Sequence, residues 1–302
     1  MDYFSDKEKG TADRISEDIS IEVWNGIVSV FEEFKSDNSF SSKFTDTCSD
    51  NERACGFDEK LFEDRIKSEI PNINIPIRRE ESSNINFPFN QHITTIDKYL
   101  TLDFIQFCHK NIQEAIQDDY HKFFKHYHLT FKESKQLQKD FRDNINQIFE
   151  RNGIVFFIND EGLVNRTIPV TMKPLINQIY NTEDKKLNEL VQLAHDKFIL
   201  PNIADRIHAL EKIWDAFERV KTYYLEKNKK ESVSELIKLV ANGNTAIEEL
   251  INDEAKALTK IGNDFQIRHF ERIKIEIIDN KHIDYLFYRM ISLIHLFLTE
   301  LE

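Results

Sequence analysis

The chain has 302 residues, 40% hydrophobic, 12% aromatic and 31% charged, and its 40 Lys and Arg against 53 Asp and Glu leave a net charge of −13. These proportions are those of a globular chain, and the length suits one large or two ordinary domains, of which two are expected. The acidic balance argues against a surface that coats nucleic acid, and seven glycines without GxGxxG or GxxxxGK[ST] argue against a nucleotide-driven motor.

Residues 1 to about 20 are polar, and MDYFSDKEKG lacks the apolar core of a signal peptide. No run approaches the ~18 apolar residues that span a bilayer, so a cytoplasmic protein with no membrane partner is expected. Ile21, Trp24, Ile27, Val28, Phe31 and Phe34 mark the first helix, with Trp24 as a core anchor. The stretch from Lys35 to about Gln91 is loop-rich and broken by Pro71, Pro76 and Pro88. One short helix is predicted within Phe57 to Ile70, with Leu61, Ile66 and Ile70 in phase. Cys48, Cys55 and Cys108 are too few and too irregularly spaced for a disulfide framework or a zinc cage, and are expected as reduced thiols.

From Thr95 a longer helix is predicted on Ile96, Leu100, Phe104, Phe107, Cys108 and Ile112. His121, His126 and His128 follow at offsets that do not stack on one helical face, and no Cys lies nearby in sequence. They are read as part of a core with Phe123, Phe124, Tyr127 and Phe131, so neither a metal nor a cofactor is expected. A further helix runs from about Lys132 to Arg151 and stops at Asn152-Gly153. Ile154 to Ile158 and Leu163 to Thr167 then flank Asn159-Asp160-Glu161-Gly162 as a β-hairpin, the clearest β signal in the chain.

The hairpin and the segment that follows it to Asn181 read as a joint between a domain over 1–172 and one over 173–302. Beyond Pro174 the pattern is helical. One helix carries Leu187, Leu190, Val191, Ala194 and Phe198, and a second, after Pro201-Asn202, carries Ile207, Leu210, Trp214, Phe217, Val220 and Tyr224. Ser232-x-x-Glu235 and Thr245-x-x-Glu248 read as capping boxes behind the polar linker Glu226 to Glu231. Ile247 to Ile261 and Ile283 to Leu301 give two late helices around a polar hinge, Gly262 to Arg272. The fold class expected is mainly α: an N-terminal helical domain with a small hairpin, then a helical bundle.

Three stretches carry a family resemblance: Ile213-Trp214-Asp215-Ala216-Phe217-Glu218-Arg219-Val220-Lys221-Thr222, Leu258 through His269, and Asp284-Tyr285-Leu286-Phe287-Tyr288-Arg289-Met290. They resemble the C-terminal, HEPN-like domain of bacterial abortive-infection proteins of the J-like group. Tyr3-Phe4-Ser5-Asp6, Tyr120 to His128 and Ile145 to Gly153 are similar to the domain that often precedes it. The resemblance implies antiphage defence or a toxin-like response, with a HEPN bundle cleaving RNA such as tRNA, and a homodimer through the C-terminal bundle.

HEPN ribonucleases carry an Arg, a polar residue, three to five further residues and a His near the start of a late helix. Here Arg268 has no His at 273, 274 or 275; counting back from His269 puts Gly262 where the Arg belongs, with Asn263 correctly polar beside it. On that reading Arg268 stands in for the missing arginine. Arg268 and His269 are therefore the catalytic candidates, with Glu218, Arg219, Asn263 and Arg272 in support. Arg289 and His295 match the spacing, but Met290 holds the polar position and the surrounding helix is apolar.

The chemistry implied is metal-independent: the His takes the proton of a ribose 2′-hydroxyl and the Arg neutralises the phosphorane. Against it stands a bland reading in which Arg268 and His269 cap helix ends or pair with Glu271 and Asp264. The alternative function is a non-catalytic module that dimerises or docks on a defence-system partner. A DNA-binding regulator is a weaker third reading, since no basic recognition helix stands out.

Overall fold

The computed structural model describes residues 12–80, 96–169, 172–224, 228–265, 267 and 275–301, together with Tyr3, Phe4 and Glu8. The fold is mainly α. Ten helices accompany three two-stranded antiparallel sheets among the described residues. The chain divides into two compact units, Met1–Thr167 and Ile168–Glu302, each with its own hydrophobic core. No helix among the described residues is long and apolar enough to cross a membrane.

The first unit is built on phenylalanine. Helix α1 (Ile21–Ser36) is capped by Ser20, whose side chain accepts from the Val23 amide, and it buries Trp24, Ile27, Val28, Phe31 and Phe34 on one face. Phe31 lies 5.3–5.4 Å, ring to ring, from Phe40, Phe62 and Phe104. Each such pair adds about 0.5–1.5 kcal/mol beyond the apolar area it buries. Phe62 comes from α2 (Glu59–Glu69), Phe104 from α3 (Lys98–Asn111), and Phe141, Ile145 and Phe149 from α4 (Lys135–Arg151). Leu61, expected to face the core, is 46% exposed because Phe62 and Ile66 set the inward face of α2.

Three hairpins decorate these helices. Strands β1 (Thr45–Thr47) and β2 (Ala54–Phe57) form the first, β3 (Glu114–His121) and β4 (His126–Lys132) the second, and β5 (Phe156–Ile158) and β6 (Val164–Arg166) the third. Only the third is predicted from sequence. In its turn the Asn159 side chain accepts from the amides of Glu161 and Leu163, and Gly162 sits at φ +81° with the His109 ring against it. A Cβ at Gly162 would lie 2.1 Å from His109 Nδ1, so both the backbone angle and the close approach require glycine there.

The β3–β4 hairpin corrects the reading of Phe123, Phe124 and Tyr127 as core. Phe123 is 80% exposed, Tyr127 43% and Phe124 39%. Its tip carries no glycine; Lys125 supplies the left-handed residue at φ +57°, so the usual turn signature is missing.

The second unit comprises α5 (Lys173–Ile176), α6 (Lys185–Phe198), α7 (Ile203–Val220), α8 (Lys229–Ala241), α9 (Thr245–Asp264) and α10 (Asn280–Leu298). Helix α7 packs against both α6 and α10. Phe198 and Phe287 stack at 3.9 Å, and Trp214 is buried beneath α9.

Both predicted capping boxes are displaced. Asn228 caps α8 by accepting from the Glu231 amide, while Ser232 lies inside the helix and accepts from the Tyr224 amide. Asn244 caps α9 one residue ahead of Thr245, its Oδ1 accepting from Ala246 and Ile247. In both places an amide side chain just upstream reaches the orphan N–H groups first. Helix α9 also continues through Asp264, so Gly262 and Asn263 are helical and the hinge begins at Phe265.

Candidate functional site

Arg268, His269 and Arg272 lie outside the described residues, but what flanks them is well defined. The Ile275 amide donates to the Asp264 carbonyl at 3.1 Å, and Phe265 bridges to Ile275, so both ends of the 266–274 segment meet at one point. Ile267 is buried in the second core. Beyond the segment Asp279 caps α10 by accepting from the Lys281 amide, and Lys281 and His282 are exposed.

Gly262 explains how closely this end of α9 approaches α7. A Cβ there would fall 2.5 Å from Cδ1 and Nε1 of Trp214, whose Nε1 donates to the Leu258 carbonyl at 3.0 Å. Through this contact the C-terminal end of α7 reaches the last turns of α9. Lys221, capping α7 and only 8% exposed, lies 4.6 Å over the Phe217 ring. Its ammonium pairs with Glu218 and reaches Thr259 Oγ1 at 3.2 Å.

The supporting residues therefore diverge. Glu218 is drawn into the cluster with Lys221 and Thr259. Arg219 turns to α6, where its Nε donates to Asp184 Oδ2 at 2.6 Å. Burial alone would raise the Asp184 carboxyl; the Arg219 hydrogen bond and the Leu187 and Lys186 amides it caps outweigh that and hold it below its ordinary value. Asn263 is exposed on the last turn of α9. Thr259 was not expected here, whereas Lys221, three residues after Glu218 on one helix face, is the salt-bridge partner that the spacing offers.

Arg289 and His295 have separate partners. Arg289 forks onto Glu254 of α9 at 3.0 and 2.8 Å, and His295 Nδ1 meets the Tyr180 hydroxyl at 2.8 Å.

A second concentration of chemistry lies in the first unit, where β2 packs beside β4. Cys48, His126 and His128 each offer a donor atom within 4.8 Å of the other two. Sequence counting places Cys48 far from the histidines; the fold brings the β1–β2 turn against β4. Cys48 is buried and its thiol is free.

Nε2 of His126 and Nδ1 of His128 are buried with no hydrogen-bond partner among the described residues. Asp119 Oδ2 stands 3.7 Å from that His128 nitrogen, too far for a hydrogen bond, and its carboxylate is held by Arg53. Each unsatisfied ring nitrogen costs about 1–3 kcal/mol if nothing binds it.

Polar links tie the two hairpins around this cluster. Arg53 pairs with Asp118 and Asp119, Asp50 Oδ2 meets His121 Nε2 at 3.0 Å, and Asn51 Nδ2 meets His128 Nε2 at 3.3 Å. The Phe124 amide donates to His121 Nδ1 at 3.3 Å, which leaves Nε2 to carry the proton toward Asp50.

A sequence profile of the AbiJ N-terminal domain 4 family matches residues 2–181. No curated protein and no solved structure matches the chain. The family match covers all three hairpins and continues into the helical unit as far as α5 and Tyr180, whose side chain is buried in the second core. With more than half its length matched, the chain belongs to the AbiJ N-terminal domain 4 family and is an AbiJ-like abortive-infection protein.

Proposed function

We propose that this protein acts in antiphage defence and that its helical unit, 168–302, is a metal-independent HEPN-type endoribonuclease answering to the N-terminal unit. Family membership over residues 2–181 supports the defence role. The chemistry rests on one observation: Arg268 and His269 lie in a segment whose two ends are pinned together at Asp264 and Ile275. In this reading His269 takes the 2′-hydroxyl proton and Arg268 neutralises the phosphorane, leaving a 2′,3′-cyclic phosphate end. Two copies paired through the helical unit supply a shared RNA cleft.

The test is cleavage of total tRNA by purified protein, and of cellular RNA during phage infection. His269→Ala is expected to lower cleavage by about 10² to 10⁴, the usual scale of a general base. RNA that stays intact with the wild-type protein in infected cells would end the nuclease reading.

One observation favours the second reading, a docking module without catalysis. Glu218 and Arg219 already hold Lys221 and Asp184, which gives both a structural task. Phage protection that survives Arg268→Ala and His269→Ala together but is lost on changing apolar residues of α10 would establish it.

A further inference from the structure

We propose that Cys48, His126 and His128 form a binding site for a divalent transition metal of the zinc class. Three features point to it. First, the donor set is right: one thiol and two imidazoles within 4.8 Å of one another. Tetrahedral zinc holds thiolate sulfur at about 2.3 Å and imidazole nitrogen at about 2.0–2.1 Å, which puts its donors about 3.3–3.7 Å apart. Side-chain rotation closes the difference, because the backbones are already set.

Second, the histidines are poised. Each keeps one buried ring nitrogen with no hydrogen bond among the described residues, whereas the neighbouring His121 has both nitrogens engaged, by Asp50 and by the Phe124 amide. A metal satisfies the first two and leaves His121 outside the ligand set, as a positioning residue whose ring centroid lies 5.6 Å from those of both His126 and His128. Third, the site has a frame. The Cys48 amide donates to the Arg53 carbonyl at 2.8 Å and its carbonyl accepts from Glu52 at 2.9 Å, while Arg53 clamps the same turn to β3.

Binding replaces the Cys48 thiol proton with the metal. One proton is released per ion, and apparent affinity rises with pH. Three protein donors leave the fourth tetrahedral position to water. The ion ties the β1–β2 turn to the β3–β4 hairpin and so fixes the hairpin whose tip displays Phe123 and Phe124. This assignment is independent of RNA cleavage by the helical unit.

Titration of the full-length protein with Co(II), followed by displacement with Zn(II), tests the site. One equivalent of Co(II) is expected to give a thiolate-to-cobalt charge-transfer band with the intense visible absorption of four-coordination. Cys48→Ser should abolish the charge-transfer band, and His126→Ala or His128→Ala should weaken binding at least about tenfold. Cys55→Ser and Cys108→Ser should leave the band unchanged, and His121→Ala should keep it at reduced affinity, on the scale of about 10- to 100-fold for a residue outside the ligand set.

X-ray absorption on the zinc-loaded wild-type protein needs no variant and should show one sulfur with nitrogen and oxygen neighbours. No charge-transfer band in the folded wild-type protein, a band that persists in Cys48→Ser, or a zinc shell without sulfur would each overturn the proposal.

Discussion

His195 is the most exposed to consequence of all the buried polar side chains, although it is only 3% open to solvent. It sits in α6 with both ring nitrogens unpartnered among the described residues and its ring 6.4 Å from that of Phe287. Burial pushes its pKa down from 6.5 to about 4, with Asp196 opposing weakly. The folded chain therefore resists protonation that the unfolded chain accepts, so stability is complete above about pH 6.5 and falls as pH drops toward 4. Lowering pH from 7.5 to 5 should cost about 2 kcal/mol through this one group. Urea unfolding at the two pH values checks it: His195→Leu should show a pH loss smaller by that amount, and an equal loss in both proteins would refute it. Neither this histidine nor the glycine under Trp214 could be recognised in the sequence. A His four residues after Val191 reads as one more polar position, and a glycine near a helix end reads as a stop signal rather than as room for an indole.

Among elements, the joint of α6, α7 and α10 depends on a single guanidinium. Arg206 is 2% exposed, donates to the Phe198 carbonyl at 2.8 Å and to Asn280 Oδ1 at 3.0 Å, and pairs with Asp284. It also lies 4.6 Å over the Phe198 ring. Arg206→Ala is expected to cost about 3 kcal/mol, because it strips partners from both α6 and α10 at once. Asp284→Asn should cost less, about 1 kcal/mol, since Asp284 is 34% exposed and water can replace part of what it loses. Chemical denaturation of the two variants gives the comparison, and a reversed order would show that the pair is not organised around Arg206.

The helices were legible because a buried stripe recurs every 3.6 residues whatever it packs against. Two of the three hairpins were not. The strands of the first are three and four residues long, and the second turns on Lys125 without a glycine. The candidate site was legible to the same extent: Glu218 and Lys221 share a helix face, whereas Arg219 finds Asp184, and Cys48 finds His126 and His128, only through tertiary folding.

At the scale of the molecule, two separate cores carry the stability, one rich in phenylalanine and one formed mainly by α6, α7 and α10. Phe287→Ala should remove about 3–5 kcal/mol from the second. Hydrogen exchange should then accelerate in α6, α7 and α10 while α1 and α4 keep their protection. Equal acceleration in α1 would show that the units unfold as one. The tie between the Ile275 amide and the Asp264 carbonyl gives the second unit a further property. Because the polypeptide departs and re-enters at a single anchor, residues added or removed beyond the buried Ile267, between 268 and 274, need not alter the phase in which α10 begins. Evolution can thus rewrite the stretch holding Arg268 and His269 while the helices on either side keep their seats.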